Sequence, residues 1–377
     1  MAQLAGLADC VRRMRIAVIL NRTCWLAACF MLAATCCHRN ASNDLNNTPI
    51  QIPHNVAYAL RHVRGNEITV IDMDRDSIVG IQRAAVNGEL LWDMTVGPDG
   101  MLYLTLCDKD LDHTGRVIRV FDPGKGVIVT DIEVDPDPER IYALPDGSAV
   151  IAHQLCRADD GTFATTLLDM AGKKVKSVFR LKSMLASVPL SPAGQPYLYY
   201  DQLGSAFPTS ILYRLDVAGD SLQKVSELSD SLFSGMMMFV GDDRFYSSRA
   251  KSVMLREFPS GMLLDTIDIG KSISDILCLP DGRAYVSLST RESWQNGSYD
   301  SLRVIDVGTN EVVKTIQVCK GPESMAYSKA LNKVYVAGNC GTTISVIDPD
   351  RDSVIKTIVS NLADENNWGY EKIVVNH

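Results

Sequence analysis

The sequence is poor in the residues that build metal and haem sites. Its 377 residues include only six histidines, which are scattered, and it contains neither Cys-x-x-Cys-His nor His-Glu-x-x-His. The Gly-x-Ser-x-Gly turn that holds the nucleophile of many hydrolases is also absent. We therefore expect no bound metal, no cofactor and no enzymatic activity.

Basic residues are in short supply as well. Lysine and arginine total 37 against 45 aspartates and glutamates, which gives a formal net charge of −8. Nucleic acid is not an expected partner, because phosphate binding needs a cationic surface. With 46% hydrophobic residues, 22% charged residues and 15 prolines, the chain has the composition of a folded protein rather than a disordered one.

Long apolar runs are lacking except near the N-terminus. The chain is apolar from Ile16 to Thr35 apart from Asn21-Arg22, and three arginines precede this run. The pattern predicts an export signal over residues 1–36. An uncleaved membrane anchor is the less favoured interpretation, because Asn21-Arg22 interrupts the apolar run that a spanning helix needs.

The end of this signal resembles the signals of bacterial lipoproteins, in which small residues precede a lipid-bearing cysteine. Cys36 or Cys37 would carry the lipid, and residues 37–54, which are polar and rich in asparagine, would form a tether. We therefore expect an exported protein that is attached to the bacterial envelope, at the outer membrane or in the periplasm, through a lipid anchor only. A soluble secreted protein is the alternative.

A unit of about 41–50 residues repeats along the rest of the chain. In its template, Ile344–Ile358, a strand ends in an acidic residue and a second strand follows a polar turn. The acidic residue recurs as Asp72, Asp122, Asp169, Asp216, Glu257, Asp306 and Asp348. Because this period is typical of four-stranded propeller blades, seven anchors predict seven blades.

The two ends of the repeat region are complementary. The first unit begins near Val56 with what matches a second strand, and the chain finishes with one spare strand, Tyr370–Asn376. We therefore predict an all-β fold for residues 55–377. It is a seven-bladed β-propeller closed by the C-terminal strand, which joins three N-terminal strands.

The last unit resembles the YVTN repeat family. The resemblance lies in Val334–Asn339, in Val346–Asp348 and in the junction Val318–Pro322, where Cys319 takes the place of the usual glycine. Propellers of this family are WD40-like and are compared with surface-layer proteins and with the propeller subunit of amine dehydrogenase. The resemblance implies a seven-bladed propeller in a cell-envelope protein and implies little about its chemistry.

Two further patterns suggest local chemistry. Cys319 and Cys340 fall on loops at one face of the last blade, and we predict a disulfide between them, with two free thiols as the alternative.

Asp72–Asp76 and Asp348–Asp352 alternate carboxylates as calcium loops do. They lack the glycine and the bidentate glutamate of such loops, so we interpret them as turns.

The face that carries the loops between blades is the predicted binding surface, because propellers bind ligands where loops converge on the central channel. Aromatic side chains with one polar edge favour binding at such a surface. The predicted ligand-binding residues are Arg61, Trp92, Lys109, His153, Tyr200, Trp294, Asn339 and Trp368.

These features together predict a monomeric, non-enzymatic propeller of the bacterial envelope that binds a small molecule or an envelope protein. One version resembles the propeller lipoproteins of Bacteroidetes that capture cobalamin for an outer-membrane transporter. The alternative from another class is a propeller hydrolase, lyase or lactonase, or a subunit of a redox enzyme. A lactonase would need a metal held by carboxylates and asparagine in the channel.

Overall fold

The computed structural model describes residues 47–61, 66–86, 88–107, 115–153, 160–202, 209–228, 236–288, 300–360 and 369–376. These residues form seven antiparallel sheets of four strands each, so the predicted all-β seven-bladed propeller is confirmed. Within the described ranges, no helix is both long enough and apolar enough to cross a bilayer.

Each sheet is one blade of the propeller. Blade 1 contains β1 (Val56–Arg61), β2 (Glu67–Asp72), β3 (Ser77–Arg83) and, last in the chain, β28 (Lys372–Val375); blade 2 contains β4 (Leu90–Val96), β5 (Leu102–Cys107), β6 (Val117–Asp122) and β7 (Val127–Glu133). Blade 3 contains β8 (Pro138–Ala143), β9 (Ser148–His153), β10 (Phe163–Asp169) and β11 (Lys174–Leu181); blade 4 contains β12 (Met184–Ser187), β13 (Tyr197–Gln202), β14 (Thr209–Asp216) and β15 (Ser221–Leu228).

The remaining blades follow the same plan. Blade 5 contains β16 (Met237–Phe239), β17 (Arg244–Arg249), β18 (Ser252–Glu257) and β19 (Leu263–Asp268); blade 6 contains β20 (Ile273–Cys278), β21 (Arg283–Leu288), β22 (Ser301–Asp306) and β23 (Glu311–Gln317). Blade 7 contains β24 (Pro322–Ser328), β25 (Lys333–Gly338), β26 (Thr343–Asp348) and β27 (Ser353–Val359). The third strand of every blade, counted outward from the central channel, ends on one of the seven predicted acidic anchors.

Buried strands in the middle of each blade have apolar residues on both faces, because each face packs against a different neighbouring blade. In β1, Tyr58 and Leu60 pack toward blade 2, whereas Ala57 and Ala59 pack toward blade 7. Successive side chains of a strand point to opposite faces, so these strands read as continuous apolar runs. Among the described residues, seven apolar clusters fill the seven interfaces between blades.

The ring closes as predicted. The C-terminal strand β28 is the innermost strand of blade 1 and pairs antiparallel with β1, with Tyr58 opposite Val374. Two further backbone bonds extend the pairing, from the Glu371 amide to the Leu60 carbonyl (3.0 Å) and from the Asn376 amide to the Val56 carbonyl (2.9 Å). This clasp covers the β1 edge, which would otherwise be open to pairing with another chain.

Both Asp-rich segments form turns. The Asp72 Oδ1 atom accepts hydrogen bonds from the amides of Asp74 (2.9 Å) and Arg75 (3.1 Å), and Asp348 Oδ1 accepts one from the Asp350 amide (2.9 Å). The anchor carboxylate thus satisfies the backbone of the turn that follows it, which is the ordinary use of aspartate at such positions.

Turns at this position of the repeat also join neighbouring blades. The Tyr335 hydroxyl of blade 7 donates to Asp76 Oδ1 in the turn of blade 1 (2.6 Å), and the Tyr246 hydroxyl of blade 5 donates to Asn310 Oδ1 in blade 6 (2.9 Å). Asp76 and Asn310 both adopt positive φ values, of 49° and 59°. The second oxygen of Asp76, Oδ2, lies 2.7 Å from Lys333 Nζ of blade 7, so both oxygens of this carboxylate join blade 1 to blade 7.

The segment that precedes β1, at the end of the predicted tether, lies against the propeller. We call residues 47–54 the N-terminal arm. The Asn47 side chain donates to the carbonyls of Arg83 and Gly126 (2.8 Å each), and Ile50 and Ile52 pack on the apolar cluster between blades 1 and 2. The polar composition of the segment concealed these two apolar contacts. The rest of the tether and the predicted signal, residues 1–46, lie outside the described residues.

Candidate functional site: the central channel

The innermost strands line the central channel, and most of them carry a bulge. The pairing register shifts by one residue in β4, β8, β12, β20 and β24. A bulge leaves an extra residue unpaired and changes the direction of the side chains beside it. In blades 3, 6 and 7 the residues at and after the bulge are Glu139-Arg140, Ser274-Asp275 and Glu323-Ser324.

Some side chains after the bulge hold neighbouring blades together. Asp275 Oδ2 accepts a hydrogen bond from the Met325 amide of blade 7 (2.8 Å), and Asp93 Oδ2 of blade 2 accepts one from the Ile141 amide of blade 3 (3.0 Å). Ser187 Oγ accepts the corresponding bond between blades 4 and 5 (3.2 Å), and Ser324 Oγ accepts the one between blades 7 and 1 (3.3 Å). These side chains satisfy backbone amides that no strand partner reaches. We call this set the inner clamp.

A cavity of about 660 Å³ occupies the channel. Its wall from blades 4 and 5 is largely apolar and includes Met184, Ala186, Met236 and Met238, with Asp201 and Ser187 as its polar members. The wall from blades 3, 6, 7 and 1 is polar and charged, and it includes Arg140, Tyr142, Ser274, Asp275, Glu323, Glu371 and Lys372. The cavity therefore offers an apolar surface and charges of both signs to one ligand.

Glu323 is the most perturbed acid of the charged wall. Its Oε2 atom accepts hydrogen bonds from Ser274 Oγ (3.2 Å) and from Asn339 Nδ2 (3.1 Å). Burial and then the negative charge of Glu371 raise the pKa of Glu323 to about 7. The carboxyl group therefore changes charge near neutral pH.

Two other charged groups of the cavity are also shifted. Burial raises the pKa of Asp275 to about 6, although its bond from the Met325 amide opposes this change. Burial alone would lower the pKa of Arg140, but the nearby carboxylates, Asp93 first among them, raise it above the ordinary value. The Arg140 guanidinium is therefore charged at every relevant pH.

Three of the predicted ligand-binding residues are buried and bonded to other groups of the protein. His153 is buried, and its ring nitrogens lie 2.8 Å from the Pro136 carbonyl oxygen and 3.0 Å from Thr166 Oγ1, while burial lowers its pKa. Tyr200 is buried between blades 3 and 4 and donates to Thr165 Oγ1 (2.9 Å). Arg61 is buried beside Glu67, with 3.3 Å between Nη1 and Oε2.

Two predicted residues do belong to the channel region, and three cannot be placed. Asn339 binds Glu323, as described above, and Trp92 is partly buried on the innermost strand β4, at the bulge. Lys109, Trp294 and Trp368 lie outside the described residues, as do the two cysteines predicted to carry the lipid, Cys36 and Cys37.

Cys319 and Cys340 form no disulfide in the structure, so the predicted bridge is absent and the alternative of two thiols is what the structure shows. The Sγ atom of Cys319 donates to the Val336 carbonyl (3.3 Å), and that of Cys340 donates to Asn339 Oδ1 (3.2 Å). Burial raises the pKa of the Cys319 thiol to about 11, which keeps it protonated and unreactive. Cys319 lies in the segment between β23 and β24, and its side chain packs in the apolar cluster between blades 6 and 7.

The sequence interpretation missed the residues that define the cavity, above all Arg140, Glu323 and Met236. A signal for the first two was present, because polar pairs open the innermost strands at Glu139-Arg140 and Glu323-Ser324. Such polar pairs at the start of an innermost strand indicate side chains that face the channel. In the part of the chain that the structure describes, no three histidine, cysteine, aspartate or glutamate side chains converge as metal ligands would.

Comparison with known proteins supports the fold without identifying a family. No family model matches this chain, and no curated protein matches it. A protein of unknown function from Desulfotomaculum acetoxidans shares 16% identity with a TM-score of 0.65, over 86% of this chain and 99% of that one. A candidate 6-phosphogluconolactonase from Bacteroides fragilis shares 14% identity with a TM-score of 0.60, over 86% and 98% of the two chains.

Apo AztD from Citrobacter koseri is also similar, with 13% identity and a TM-score of 0.52 over 85% of this chain and 97% of that one. At these identities the likeness shows a shared seven-bladed architecture and nothing about the ligand. The class that the fold and the channel define is thus a seven-bladed propeller with a cavity at its axis.

Proposed function

We propose that this protein is a non-enzymatic binding propeller that captures a small molecule in its central channel. The observation that carries the proposal is the cavity of about 660 Å³, whose two walls differ in chemistry. Small-molecule sites typically measure about 300–1,000 Å³ and combine apolar surface with a few placed polar groups. The proposal moves the site from the loop face, where we predicted it, to the channel wall.

Native mass spectrometry of the mature chain, purified gently from its own cells, tests capture directly. We expect a bound small molecule on the wild-type protein and none on Ala186→Trp, because Ala186 lines the cavity and an indole there would fill it. Val313→Trp is the matched control, since Val313 is 54% exposed on β23 of the outer rim, and it should retain the molecule. A bare wild-type protein, or equal retention by both variants, would overturn the proposal.

Two other functions have their own supporting features and their own outcomes. A hydrolase or lyase is favoured by the near-neutral pKa of Glu323, which suits a general acid or base. If the protein is a hydrolase or lyase, the molecule that it releases after incubation differs chemically from the molecule that it bound. Scaffolding, or capture of a larger cofactor such as cobalamin, would use the loop face. It requires a retained protein or cofactor whose binding survives Ala186→Trp.

The proposed location is the bacterial envelope, with a lipid on Cys36 or Cys37. The support is the sequence alone: a basic segment, an apolar run and small residues before the two cysteines. Mass spectrometry of the N-terminal peptide from wild-type, Cys36→Ser and Cys37→Ser proteins would identify the modified thiol. An unmodified peptide would favour the secreted alternative.

A further inference from the structure

Arg140 presents a positive charge to the cavity without an ionic partner among the described residues. It follows the bulge of β8, remains accessible to water inside the channel, and forms no ion pair there. Nearby carboxylates, including Asp93 and Glu323, influence its charge from a distance. A planar guanidinium in this position is suited to bidentate binding of a carboxylate.

Glu323 presents the opposite charge to the same cavity. Arg140 lies on blade 3 and Glu323 on blade 7; each affects the titration of the other, yet they form no ion pair. Ser274 and Asn339 both bind Oε2 of Glu323, and no described residue donates a hydrogen bond to its Oε1 atom. A space therefore separates two opposite charges that the protein does not pair with each other.

A ligand with a single charge would fit this cavity poorly. An anion bound at Arg140 would lie in a channel that also contains Asp275, Glu323 and Glu371, and a cation would share it with Arg140 and Lys372. Unpaired charge in a partly desolvated site is unfavourable. A molecule that carries both charges satisfies both sides.

The methionines of the opposite wall supply the rest of the site. Met184, Met236 and Met238 are partly buried and line the cavity from blades 4 and 5. Methionine side chains are flexible and polarizable, so they adapt to apolar groups of different shape. An apolar group between the two charges of a ligand would rest on this wall.

We propose that the ligand is a small zwitterion with an apolar body, namely an apolar amino acid or a short peptide of such residues. Its carboxylate binds Arg140, its ammonium group binds Glu323, and its apolar side chain packs on Met184, Met236 and Met238. This inference rests on the proposed function, because it names the class of molecule that the channel captures.

Isothermal titration calorimetry with four probes tests the class. The probes are methionine, the dipeptide methionyl-methionine, and the C-terminal amide and the N-acetyl form of whichever of the two binds more tightly. We expect the zwitterion to bind. The amide and the N-acetyl form each carry only one charge, and each should bind at least about tenfold more weakly, because each loses one charge-assisted contact. The assignment would be overturned if either singly charged form bound as tightly as the zwitterion, or if neither methionine nor methionyl-methionine bound.

Two variants test the residues separately. Arg140→Gln should reduce the affinity of the zwitterion to that of the amide, which lacks the carboxylate, and should not change the affinity of the amide. Glu323→Gln should reduce the affinity of the zwitterion to that of the N-acetyl form, which lacks the ammonium group, and should not change the affinity of the N-acetyl form. Arg75→Gln, with the Arg75 side chain 80% exposed, and Glu311→Gln, at an exposed position on β23, are the controls and should leave every affinity unchanged. Arg140→Lys, which keeps the charge but loses the bidentate geometry, should bind with intermediate affinity.

The two proposals can fail independently. If native mass spectrometry shows a captured molecule that is not zwitterionic, the ligand class is wrong and capture stands. If Ala186→Trp retains whatever the wild-type protein retains, capture in the channel is wrong, whatever the probes show.

Discussion

Asp275 is a charged residue of the cavity whose main role is in the inner clamp. Its two carboxylate oxygens accept hydrogen bonds from the Ile276 amide (2.9 Å) and the Met325 amide (2.8 Å). Only the second bond crosses from blade 6 to blade 7. A residue can therefore line a binding site and join two blades at once.

Replacing Asp275 with alanine should destabilise the propeller. The Met325 amide would lose its acceptor, and an unsatisfied buried donor costs about 1–3 kcal/mol. Urea unfolding of Asp275→Ala measures the loss. Asp242→Ala, at an exposed position in a turn of blade 5, is the control and should change stability by less than about 0.5 kcal/mol. Similar losses in the two variants would show that the inner clamp contributes little.

Glu323 should make the stability of the protein depend on pH. Its folded-state pKa, about 7, lies above its ordinary value, so folding favours the protonated form. The stability that it contributes is fully present below the unfolded pKa and is lost as the pH rises through about 7. The groups that set this behaviour are Glu371, Arg140, Ser274 and Asp275, which face it from three other blades.

Glu323→Gln tests whether stability falls as the pH rises through about 7, because glutamine cannot ionise. Between about pH 5 and about pH 8 the variant should gain roughly 1 kcal/mol relative to the wild type, less than the full shift implies, since the carboxyl is partly solvated. Thermal unfolding at several pH values measures the difference, with Glu311→Gln as the exposed control. Parallel curves for wild type and Glu323→Gln would contradict the assignment.

At the scale of elements, the N-terminal arm shows what a sequence pattern can conceal. Ile50 and Ile52 stand in a segment of asparagine, threonine, glutamine and proline, which predicts a tether. Their partners lie on blades 1 and 2, and Gly80 of β3 provides the space for Ile50, since a Cβ atom there would clash with it. A contact of this kind depends on the fold and cannot be inferred from the segment itself.

Removing the N-terminal arm should destabilise the propeller by about 2–4 kcal/mol, from two partly buried isoleucines and the bonds of Asn47. Gly80→Ala should destabilise the protein that has the arm and should be nearly neutral in the chain that begins at residue 55. Chemical unfolding of the four proteins forms a double-mutant cycle. Equal effects of Gly80→Ala in both backgrounds would show that the arm does not pack on β3 in solution.

The inner strands were harder to interpret from sequence than the outer ones. Period-2 alternation and the acidic anchors placed every blade, because strands and turns follow local rules. The bulges at Glu139 and Glu323 break that alternation, so their side-chain direction could not be assigned. The contacts of His153 and Tyr200 could not be predicted either. Thr166 lies on the strand next to His153 and Thr165 on the blade next to Tyr200, so each pair comes together only after folding.

At the scale of the whole molecule, the clasp decides whether the ring closes. A chain that ends at Tyr370 would lack β28, leaving the β1 edge unpaired and removing Ile373 from the cluster between blades 7 and 1. We expect this chain to aggregate and to unfold without a cooperative transition, whereas a chain that lacks only His377 should behave as the wild type. Size-exclusion chromatography and calorimetry measure both properties.

A complementation experiment keeps this prediction falsifiable if the truncated chain does not fold alone. A synthetic peptide of residues 369–377, present while the truncated chain refolds from urea, should restore a monomer that unfolds cooperatively. A truncated chain that is monomeric and cooperative without the peptide would show that closure does not need β28.

The clasp also sets an order of events during synthesis. The strands β1, β2 and β3 leave the ribosome before the other blades, yet their innermost neighbour, β28, follows all of those blades in the chain. Blade 1 must therefore wait, incomplete, until all the other blades have emerged. A chain cut before β28 by translation arrest or proteolysis cannot complete blade 1, so the presence of β28 becomes a condition for reaching the native state.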